Sequence, residues 1–518
     1  MRARRLHLSF LSTTTTISLT LTPHSLTQRR VHFRNFSSSQ IMRTLCVDSL
    51  NPAILNVEYA VRGELAIRAE HYRHLLQRPN HGLPFDRVIN SNIGNPQQKG
   101  LDQPPITWNR QIAALTEYPE LIEKAKDLFP EDAVERAKEL LEEVGSIGAY
   151  SHSQGVPLIR KSVADFIAER DGHPADPGHI FLTAGASAGV ALLLSMLIAK
   201  PGKSGVLIPI PQYPLYTATL AQYNGVPVPY HLDEKSGWST SPEHILEALE
   251  KAKSEGIDVR AVVVINPGNP TGSLLTPAIQ KHIVQICNDH GLMLLADEVY
   301  QENLHYRDEY PFTSFKKILC EMGNQADVAL ASFHSTSKGV TGECGRRGGY
   351  FELVKVDDEV LAQIYKMASV GLCPPVPGQV AVDCMVRPPK RGSPSYLRWK
   401  AETDAIHTAL ATRTKTMVAR LNSLPGMSCQ SANGALYLYP RIELPPRVIE
   451  AAHKAGKKAD TFYALALLDA TGICAVSGSG FGQRGDEGNF RLTCLCSGVE
   501  EYVGKLEKFH REFMEKYS

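Results

Sequence analysis

Short runs of β-branched and other apolar residues recur between residues 178 and 335, and each run ends in a turn rich in Gly, Pro or Asn. Most of these runs are followed by the spacing of apolar residues that is typical of a helix. Near-continuous apolar strands that alternate with helices predict a mainly parallel sheet covered on both faces. The sequence therefore predicts an α/β fold, in which ligands bind beyond the carboxyl ends of the strands. The predicted strands are residues 180–183, 206–210, 259–265, 292–296 and 328–333.

Helical patterns precede this region, and a mixture of helical and strand patterns follows it. Apolar residues at helical spacing predict an amphipathic helix over residues 57–76, and Pro130 followed by acidic residues predicts another over residues 130–144. Residues 386–394 are rich in Pro, Arg and Gly and predict a surface linker. We therefore expect an N-terminal arm and part of a small domain in residues 37–149, a large domain in residues 150–385 and a C-terminal small domain in residues 386–518.

The N-terminal segment has a composition of its own, because residues 1–47 contain no Asp, Glu or Lys but carry seven Arg and many Ser and Thr. This composition resembles an organellar transit peptide, and polar residues interrupt the apolar stretch that a secretory signal needs. Arg34 lies three residues before Ser37, as in a mitochondrial processing site. The segment predicts a mitochondrial transit peptide over residues 1–36 and a location in the matrix. Import into a plastid and a cytosolic form that starts at Met42 remain alternatives.

The charge and the cysteines argue against several classes of function. The 518 residues include 55 Lys and Arg and 54 Asp and Glu, so the formal net charge of +1 gives no broad basic field for nucleic acid. The longest apolar run, residues 190–199, is far shorter than the roughly 20 residues that span a bilayer. Cys494 and Cys496 form neither a disulfide framework nor a CxxC motif. We expect no nucleic-acid partner, no membrane span and no metal site.

Small, aromatic and amide residues follow the first three predicted strands. The turn Thr-Ala-Gly-Ala-Ser at residues 183–187 exposes backbone N–H groups at a helix start and could bind a phosphate, although small residues there also serve close packing. Tyr213 lies between prolines and could stack on a planar ring or be an ordinary core residue. Asn266 and Asn269, each next to a proline, could aim an amide at a ligand oxygen or belong to a plain turn.

Acidic, hydroxyl and basic residues follow the last two predicted strands. Asp297 and Tyr300 come just after an apolar strand, where a buried carboxylate needs a partner that a cationic ring nitrogen would supply. Lys338 lies in the segment Ser-Thr-Ser-Lys-Gly, and a glycine-flanked arginine pair at residues 346–347 follows it. These residues gather phosphate-binding groups around an amine that desolvation would make nucleophilic. Each residue alone could be a surface lysine or a helix cap, so only the order of the motifs along the chain indicates a binding site.

This order of motifs on successive strand ends resembles the pyridoxal phosphate enzymes of the aspartate aminotransferase superfamily, known as fold type I, over residues 48–518. The resemblance implies a large domain that binds pyridoxal phosphate on a mostly parallel seven-stranded sheet, and a smaller α/β domain. The segments LNPAILNVEYAVRGELAIRAE, YSHSQGVPLIR, NPGNPTG and GECGRRGGY are similar to the alanine aminotransferase branch, which also contains glutamate:glyoxylate aminotransferases.

The resemblance implies a reversible ping-pong transfer of the amino group from L-alanine to 2-oxoglutarate, which gives pyruvate and L-glutamate. A glutamate:glyoxylate aminotransferase is the alternative, although the C-terminus lacks an S-K-L-type peroxisomal address. A lyase of the same fold, similar to 1-aminocyclopropane-1-carboxylate synthase, is a further alternative. A protein of this fold that serves only for binding, without catalysis, would be expected to have lost Lys338 or Asp297, and both are present.

The resemblance also assigns roles to residues around the cofactor ring. Lys338 would form the Schiff base with the cofactor aldehyde and move the proton during transfer. Asp297 would keep the pyridine nitrogen protonated, which makes the ring an electron sink. Tyr300 and Asn269 would donate hydrogen bonds to the 3′ oxygen of the ring, and Tyr213 would stack on its face.

The remaining roles concern the phosphate and the substrate. Arg347 fits the R-x-G-Y pattern of the family better than Arg346, and which of the two binds phosphate is open. Arg491 would bind the substrate α-carboxylate bidentately. Gly94 would belong to a loop that closes over the bound substrate. The other phosphate ligands implied by the resemblance are the backbone of Ala186 and Ser187, the side chains of Ser335 and Ser337, and Tyr150 from the other subunit of a homodimer.

Overall fold

The computed structural model describes residues 45–59, 63–101 and 103–518. The predicted transit peptide, the processing site near Ser37 and the alternative start at Met42 lie outside the described residues. Residues 45–50 contain one turn of 3₁₀ helix, Val47–Ser49.

The first part of this chain is largely helical and ends just before the large sheet. The helix predicted over residues 130–144 is confirmed, because it begins after Pro130 and ends at Gly145, which has a φ of +74°. The helix predicted over residues 57–76 is shorter than expected, since it begins only after Gly63 and Val57 lies outside it. The elements are α1 (Pro52–Leu55), α2 (Glu64–Leu75), β1 (Ile89–Asn90), α3 (Thr107–Glu117), α4 (Leu121–Lys124), α5 (Glu131–Val144) and α6 (Pro157–Asp171).

A seven-stranded sheet forms the centre of the next part of the chain, with strand order β2-β8-β7-β6-β5-β3-β4. Strand β8 is antiparallel to both of its neighbours, and all other neighbouring strands are parallel. The predicted α/β fold with a mostly parallel seven-stranded sheet is therefore confirmed. The elements are β2 (Ile180–Thr183), α7 (Ala186–Leu197), β3 (Ser204–Ile210), α8 (Leu215–Gln222), β4 (Val226–His231), α9 (Pro242–Ser254), β5 (Asp258–Ile265), α10 (Pro277–His290), β6 (Met293–Asp297), α11 (Phe315–Met322), β7 (Leu330–Ser335), β8 (Gly349–Val354), α12 (Asp358–Val370) and α13 (Val376–Val386).

The apolar strands are continuous because both faces of this sheet are covered. In β5, Val262 packs into the hydrophobic core on one face and Val263 into the core on the other. The neighbouring strand β6 divides in the same way, with Leu294 on the first face and Leu295 on the second. Since successive side chains of a strand point to opposite faces, burial of both faces requires apolar residues at nearly every position.

The last part of the chain builds small sheets and long helices around a second core. β14 lies between β10 and β13 in a three-stranded antiparallel sheet, and β1 pairs in parallel with β12. That pairing places the loop after β1 beside the C-terminal strands. Within the described residues, none of the helices is apolar enough over a sufficient length to cross a bilayer. The elements are α14 (Tyr396–Asn422), β9 (Met427–Ser428), β10 (Tyr437–Leu438), β11 (Arg441–Ile442), α15 (Pro446–Lys454), α16 (Ala459–Thr471), β12 (Ile473–Cys474), β13 (Val476–Ser477), β14 (Phe490–Thr493) and α17 (Val499–Tyr517).

Candidate active site

A cavity of about 430 Å³ opens at the carboxyl ends of the parallel strands of the large sheet. The ends of β2, β3, β5, β6 and β7 all contribute residues to it, and the small C-terminal strands β10 and β14 contribute Tyr437 and Arg491. This is the position at which doubly wound α/β sheets bind their ligands. Its lining comprises Tyr59, Ile93, Gly94, Asn95, Ala186, Ser187, Tyr213, Leu215, Ile265, Asn269, Asp297, Val299, Tyr300, Ser335, Ser337, Lys338, Cys344, Arg347, Tyr437 and Arg491.

The structure brings twelve of the thirteen predicted site residues together in this one cavity. The exception is Tyr150, which does not line the cavity of its own chain and is 80% exposed. The twelve are Gly94, Ala186, Ser187, Tyr213, Asn269, Asp297, Tyr300, Ser335, Ser337, Lys338, Arg347 and Arg491.

Asp297 is the last residue of β6, and its side chain is only 5% exposed. The hydroxyl of Tyr216 donates a hydrogen bond of 2.9 Å to Oδ2, and the backbone N–H of Val299 donates a longer one, 3.4 Å, to Oδ1. Burial raises the pKa of this carboxyl to about 6, although the hydroxyl of Tyr216 and the nearby Lys338 act in the opposite direction. A cation placed beside Asp297 would relieve the cost of this burial.

Lys338 lies three residues beyond the end of β7, and its amine reaches across the cavity. Nζ donates a hydrogen bond of 2.7 Å to the carbonyl oxygen of Gly94 and lies 5.6 Å from the centre of the Tyr300 ring. The chain turns sharply just after the lysine, because Gly339 has a φ of +65° and donates its N–H to the side chain of Asn303. This turn fixes the backbone from which the amine extends.

Arg491 lies on β14 and is 1% exposed. Its Nη1 donates a hydrogen bond of 2.8 Å to Oδ1 of Asn269, and its guanidinium lies between the rings of Tyr437 and Phe481. A second bond runs from Nη2 to the carbonyl of Asn92, while Nε has no hydrogen-bond partner in the described structure. Its two hydrogen bonds within the described residues go to neutral oxygens and not to a carboxylate, so this buried cation suits an anionic group from outside the chain.

Tyr437 is a cavity residue that the sequence motifs did not reveal. Tyr300 donates a hydrogen bond of 3.1 Å to its hydroxyl, and Asn269 in turn donates one of 3.4 Å to Tyr300. Burial alone would raise the pKa of Tyr437, but the positive charges of Lys338 and Arg491 and the bond from Tyr300 outweigh it and lower that pKa. Tyr437 lies in an apolar stretch, Gly-Ala-Leu-Tyr-Leu, so its sequence surroundings indicate only a core residue.

Tyr59 and Cys344 also line the cavity, although the sequence analysis assigned neither residue a role. The hydroxyls of Tyr59 and Tyr213 form a hydrogen bond with each other, and the two rings pack edge to face with centroids 6.1 Å apart. Cys344 donates a hydrogen bond of 3.0 Å from Sγ to the carbonyl of Ser337. Both contacts depend on segments that are distant in sequence or follow a turn, which a local motif cannot show.

Another group of lining residues suits a phosphate. Helix α7 begins at Ala186, and the first backbone N–H groups of a helix have no partner within it. Arg347 donates hydrogen bonds of 3.0 Å to the carbonyls of Ala184 and Cys344, so its guanidinium lies against this helix start. Ser335 donates a bond of 3.2 Å to the carbonyl of Gly348.

The two adjacent arginines have different surroundings. Arg347 lines the cavity, whereas Arg346 does not and lies 3.8 Å from Glu117 and 3.9 Å from Glu343. Arg346 is thus paired with acidic side chains of the chain itself. The geometry therefore favours Arg347 as the residue available to an anion in the cavity.

These groups together fit pyridoxal phosphate. A buried carboxylate suits a cationic ring nitrogen, a primary amine suits an aldehyde, and a helix start with an arginine suits a phosphate monoester. All of these groups face one cavity. The absence of a side chain at Gly94 leaves room in this cavity, since a Cβ there would overlap the hydroxyl of Tyr437 and lie 3.1 Å from Nζ of Lys338.

Comparison with known proteins gives the family. Residues 118–507 match the family described as aminotransferase class I and II. A Dictyostelium discoideum protein named probable mitochondrial alanine aminotransferase is 47% identical over 493 residues, which cover 93% of this chain and 92% of that protein. A Saccharomyces cerevisiae protein named inactive alanine aminotransferase is 44% identical over 481 residues, covering 90% of this chain and 94% of that protein.

The solved structures agree with this result. The structure titled alanine aminotransferase from Pyrococcus furiosus superimposes with a TM-score of 0.69 at 25% identity, covering 89% of this chain and 100% of that one. The chain therefore belongs to the class I and II aminotransferases, a family that depends on pyridoxal phosphate.

Proposed function

We propose that the protein is an alanine aminotransferase, which transfers the amino group of L-alanine reversibly to 2-oxoglutarate and gives pyruvate and L-glutamate. The observation that carries this proposal is the buried guanidinium of Arg491, which pairs with no carboxylate of the described residues and faces the same cavity as Lys338 and Asp297. Since one similar protein is named inactive, names alone do not carry activity. An amine, a buried carboxylate and a buried guanidinium in one cavity support an active aminotransferase, and the names of the relatives support L-alanine as its amino donor.

The cofactor of this reaction would be pyridoxal phosphate. Lys338 would hold its aldehyde carbon, Asp297 its ring nitrogen, and Asn269 and Tyr300 its 3′ oxygen, while Tyr213 would cover its ring. When bound, the cofactor accepts the electron pair of the substrate Cα–H bond into its cationic ring. The phosphate would be held by Ala186, Ser187, Ser335, Ser337, Arg347 and the partner subunit's Tyr150.

The side chains of the protein do the binding and the proton transfer. Arg491 binds the α-carboxylate of the amino acid through two parallel hydrogen bonds, which orients the Cα–H bond. Once the substrate amine has replaced it, Nζ of Lys338 would take the proton from Cα and deliver it to the carbon that was the cofactor aldehyde, so one amine would act as base and then as acid. Asp297 meanwhile keeps the proton on the ring nitrogen.

The loop that contains Gly94 excludes water during these steps. Its carbonyl already accepts the hydrogen bond from Lys338, so this loop covers the reacting amine directly. Water exclusion strengthens the electrostatic contacts in the cavity and prevents hydrolysis of the reacting groups. In the second half of the reaction, the same residues bind 2-oxoglutarate and run the proton transfer in reverse.

We further propose a homodimer in which each subunit completes the site of the other. Tyr150 is exposed and does not reach the cavity of its own chain. The segment of Tyr150 contacts helix α12, since the hydroxyl of Tyr365 lies 3.3 Å from Nε2 of His152. Helix α12 and the turn after it expose the apolar side chains of Met367, Val370 and Leu372. Such an apolar surface is suited to a second copy of the chain.

Mixing two inactive variants tests the shared site. Lys338→Ala and Tyr150→Ala subunits, after denaturation and refolding together, would form heterodimers in which one site has both intact residues. We expect activity to return in the mixture, whereas Lys338→Ala mixed with Lys338→Ala stays inactive. A mixture without any recovery, in spite of proven heterodimers, would refute the partner role of Tyr150.

The location proposed for the protein is the mitochondrial matrix. The composition of residues 1–47 supports it, as does the mitochondrial name of the Dictyostelium discoideum relative. N-terminal sequencing of the protein from purified mitochondria should give a start near Ser37. An N-terminus at Met42 that is found in the cytosol would instead support a second, cytosolic form.

A comparison of amino donors and acceptors tests the proposed activity. The full chain, loaded with pyridoxal phosphate, should convert L-alanine and 2-oxoglutarate into equal amounts of pyruvate and L-glutamate. A much higher kcat/KM for L-glutamate with glyoxylate would identify a glutamate:glyoxylate aminotransferase. Elimination from S-adenosylmethionine without amine transfer would identify a lyase.

A further inference from the structure

Tyr216 is a fully buried residue of α8 that makes a direct contact with Asp297. Its side chain is 0% exposed, and its ring packs in the hydrophobic core with Ile208 and Leu220. Its hydroxyl donates a hydrogen bond of 2.9 Å to Oδ2 of Asp297. From the part of the chain that the structure describes, the other carboxylate oxygen, Oδ1, accepts only the 3.4 Å hydrogen bond from the backbone N–H of Val299. Tyr216 therefore provides the shortest hydrogen bond to this carboxylate.

The charged and titratable groups around Asp297 come from three elements. Lys338 approaches from the segment after β7, Tyr300 from the segment after β6, and Tyr216 from α8. Burial first, and then the charge of Asp297, raise the pKa of Tyr216 well above its usual value. The phenol thus keeps its proton throughout the working range of an enzyme and remains a permanent donor.

We propose that Tyr216 is a positioning residue that keeps Asp297 ionised, so that the proton between this carboxylate and the cofactor stays on the ring nitrogen. This inference rests on the proposed function. A hydroxyl that donates to a carboxylate makes it a weaker base. Without that donor, the buried carboxylate would compete better with the ring nitrogen for the shared proton. The ring would then lose the positive charge that makes it an electron sink.

A matched pair of variants separates this role from simple packing. Tyr216→Phe removes the hydroxyl and retains the buried ring. Tyr230→Phe is the control, because Tyr230 is also buried, at 1% exposed, and its hydroxyl donates a 2.7 Å bond to the carbonyl of Val263, away from Asp297. Each variant and the unmodified protein are loaded with pyridoxal phosphate that carries ¹⁵N in the ring.

Two measurements then report on the proton directly. The ¹⁵N chemical shift of the ring should be that of a protonated nitrogen in the unmodified protein and in Tyr230→Phe at pH 8, and should move towards the unprotonated value in Tyr216→Phe. The fall of cofactor affinity at low pH should begin about one to two pH units higher in Tyr216→Phe, since a hydrogen bond to a charged group contributes about that much. We also expect kcat to fall more than KM rises.

The outcomes distinguish this inference from the proposed function. Equal chemical shifts and equal pH profiles in Tyr216→Phe and Tyr230→Phe, with full activity in the unmodified protein, would overturn the role of Tyr216 alone. An unmodified protein that fails to bind pyridoxal phosphate would overturn both. Melting temperatures that fall equally in both variants are expected from the loss of a buried hydroxyl, and they support the inference only when the ring nitrogen changes in Tyr216→Phe.

Discussion

Nζ of Lys338 donates a hydrogen bond of 2.7 Å to the carbonyl oxygen of Gly94. The bond joins the segment after β7 to the loop after β1, which are 244 residues apart in the chain. Because β1 pairs with β12, the loop is fixed to the C-terminal part of the chain. The reacting amine is thus in contact with the segment proposed to cover the substrate.

Substitution of Gly94 by Ala should impair catalysis. A Cβ at this position would overlap the hydroxyl of Tyr437 and approach Nζ of Lys338 to 3.1 Å, so both groups must move. Overpacking of this kind costs roughly 1–3 kcal/mol, and we expect kcat/KM for alanine to fall by about tenfold or more. Gly504→Ala is the control, because a Cβ in the middle of α17 comes no closer than 3.9 Å to another group. Equal kinetics of the two variants would contradict the close packing around Gly94.

Removal of the charge of Arg491 should weaken the binding of the amino acid and leave the binding of the cofactor nearly unchanged. For Arg491→Gln we expect kcat/KM for alanine to fall by about 100-fold or more, because the loss of one partner from a buried charge pair costs roughly 2–5 kcal/mol. The affinity for pyridoxal phosphate should stay within about threefold of the original. Arg441→Gln, on a strand of the same region and paired with Glu234 at the surface, should leave both values unchanged. A loss confined to cofactor binding would contradict the assignment of Arg491 to the carboxylate.

The two neighbouring arginines should differ in their effect on the phosphate. Arg347→Gln should lower the affinity for pyridoxal phosphate by roughly ten- to 100-fold, since the substitution removes charge-assisted hydrogen bonds. The same variant should bind pyridoxal, which has no phosphate, as well as the original protein does. Arg346→Gln should bind both compounds normally, because Arg346 faces Glu117 and Glu343. The reverse pattern would show that Arg346 is the phosphate ligand.

Asp297 should make the stability of the cofactor-free protein depend on pH. Burial raises its pKa from 3.8 to about 6, so the folded state holds this proton more tightly than the unfolded state does. The resulting contribution of about 3 kcal/mol to the free energy of unfolding is complete only below about pH 3, and it is lost as the pH rises through about 6 to 7.

Denaturant unfolding of the cofactor-free protein and of Asp297→Asn at pH 4, 5, 6 and 7 measures this contribution. The difference between the two proteins should change by about 2 kcal/mol between pH 4 and pH 6 and level off near pH 7. A difference that is constant across this range would mean that Asp297 has an ordinary pKa.

The large sheet was predictable from the sequence because its strands are buried on both faces. The predicted strand at residues 180–183 coincides with β2, and the other four overlap β3, β5, β6 and β7 within a few residues. The sequence pattern does not indicate strand β4, because Pro227 and Pro229 lie within it. Prolines are tolerated there because β4 is at the edge of the sheet. The sequence pattern does not indicate strand β8 either, because β8 directly follows the glycine-rich turn at residues 342–348.

The site was predictable where its residues follow strands in characteristic motifs. Asp297, Asn269 and Lys338 follow such strands, and parallel strands bring their carboxyl ends to one edge of the sheet. The motifs do not reveal Tyr437, which lies in an apolar stretch, or Tyr216, which lies at the start of α8, since each acquires its role through a hydroxyl contact. Contacts between elements that are distant along the chain leave no local signal in a single sequence.

A single turnover with L-alanine alone tests the central claim most directly. The full chain, loaded with pyridoxal phosphate, is mixed with L-alanine without any 2-oxo acid, and the cofactor absorbance and the released pyruvate are followed. We expect the absorbance to change once and one pyruvate to appear per site, in the original protein and in the surface variant Lys235→Ala but not in Lys338→Ala. A fully loaded protein that releases no pyruvate would contradict the proposed alanine aminotransferase.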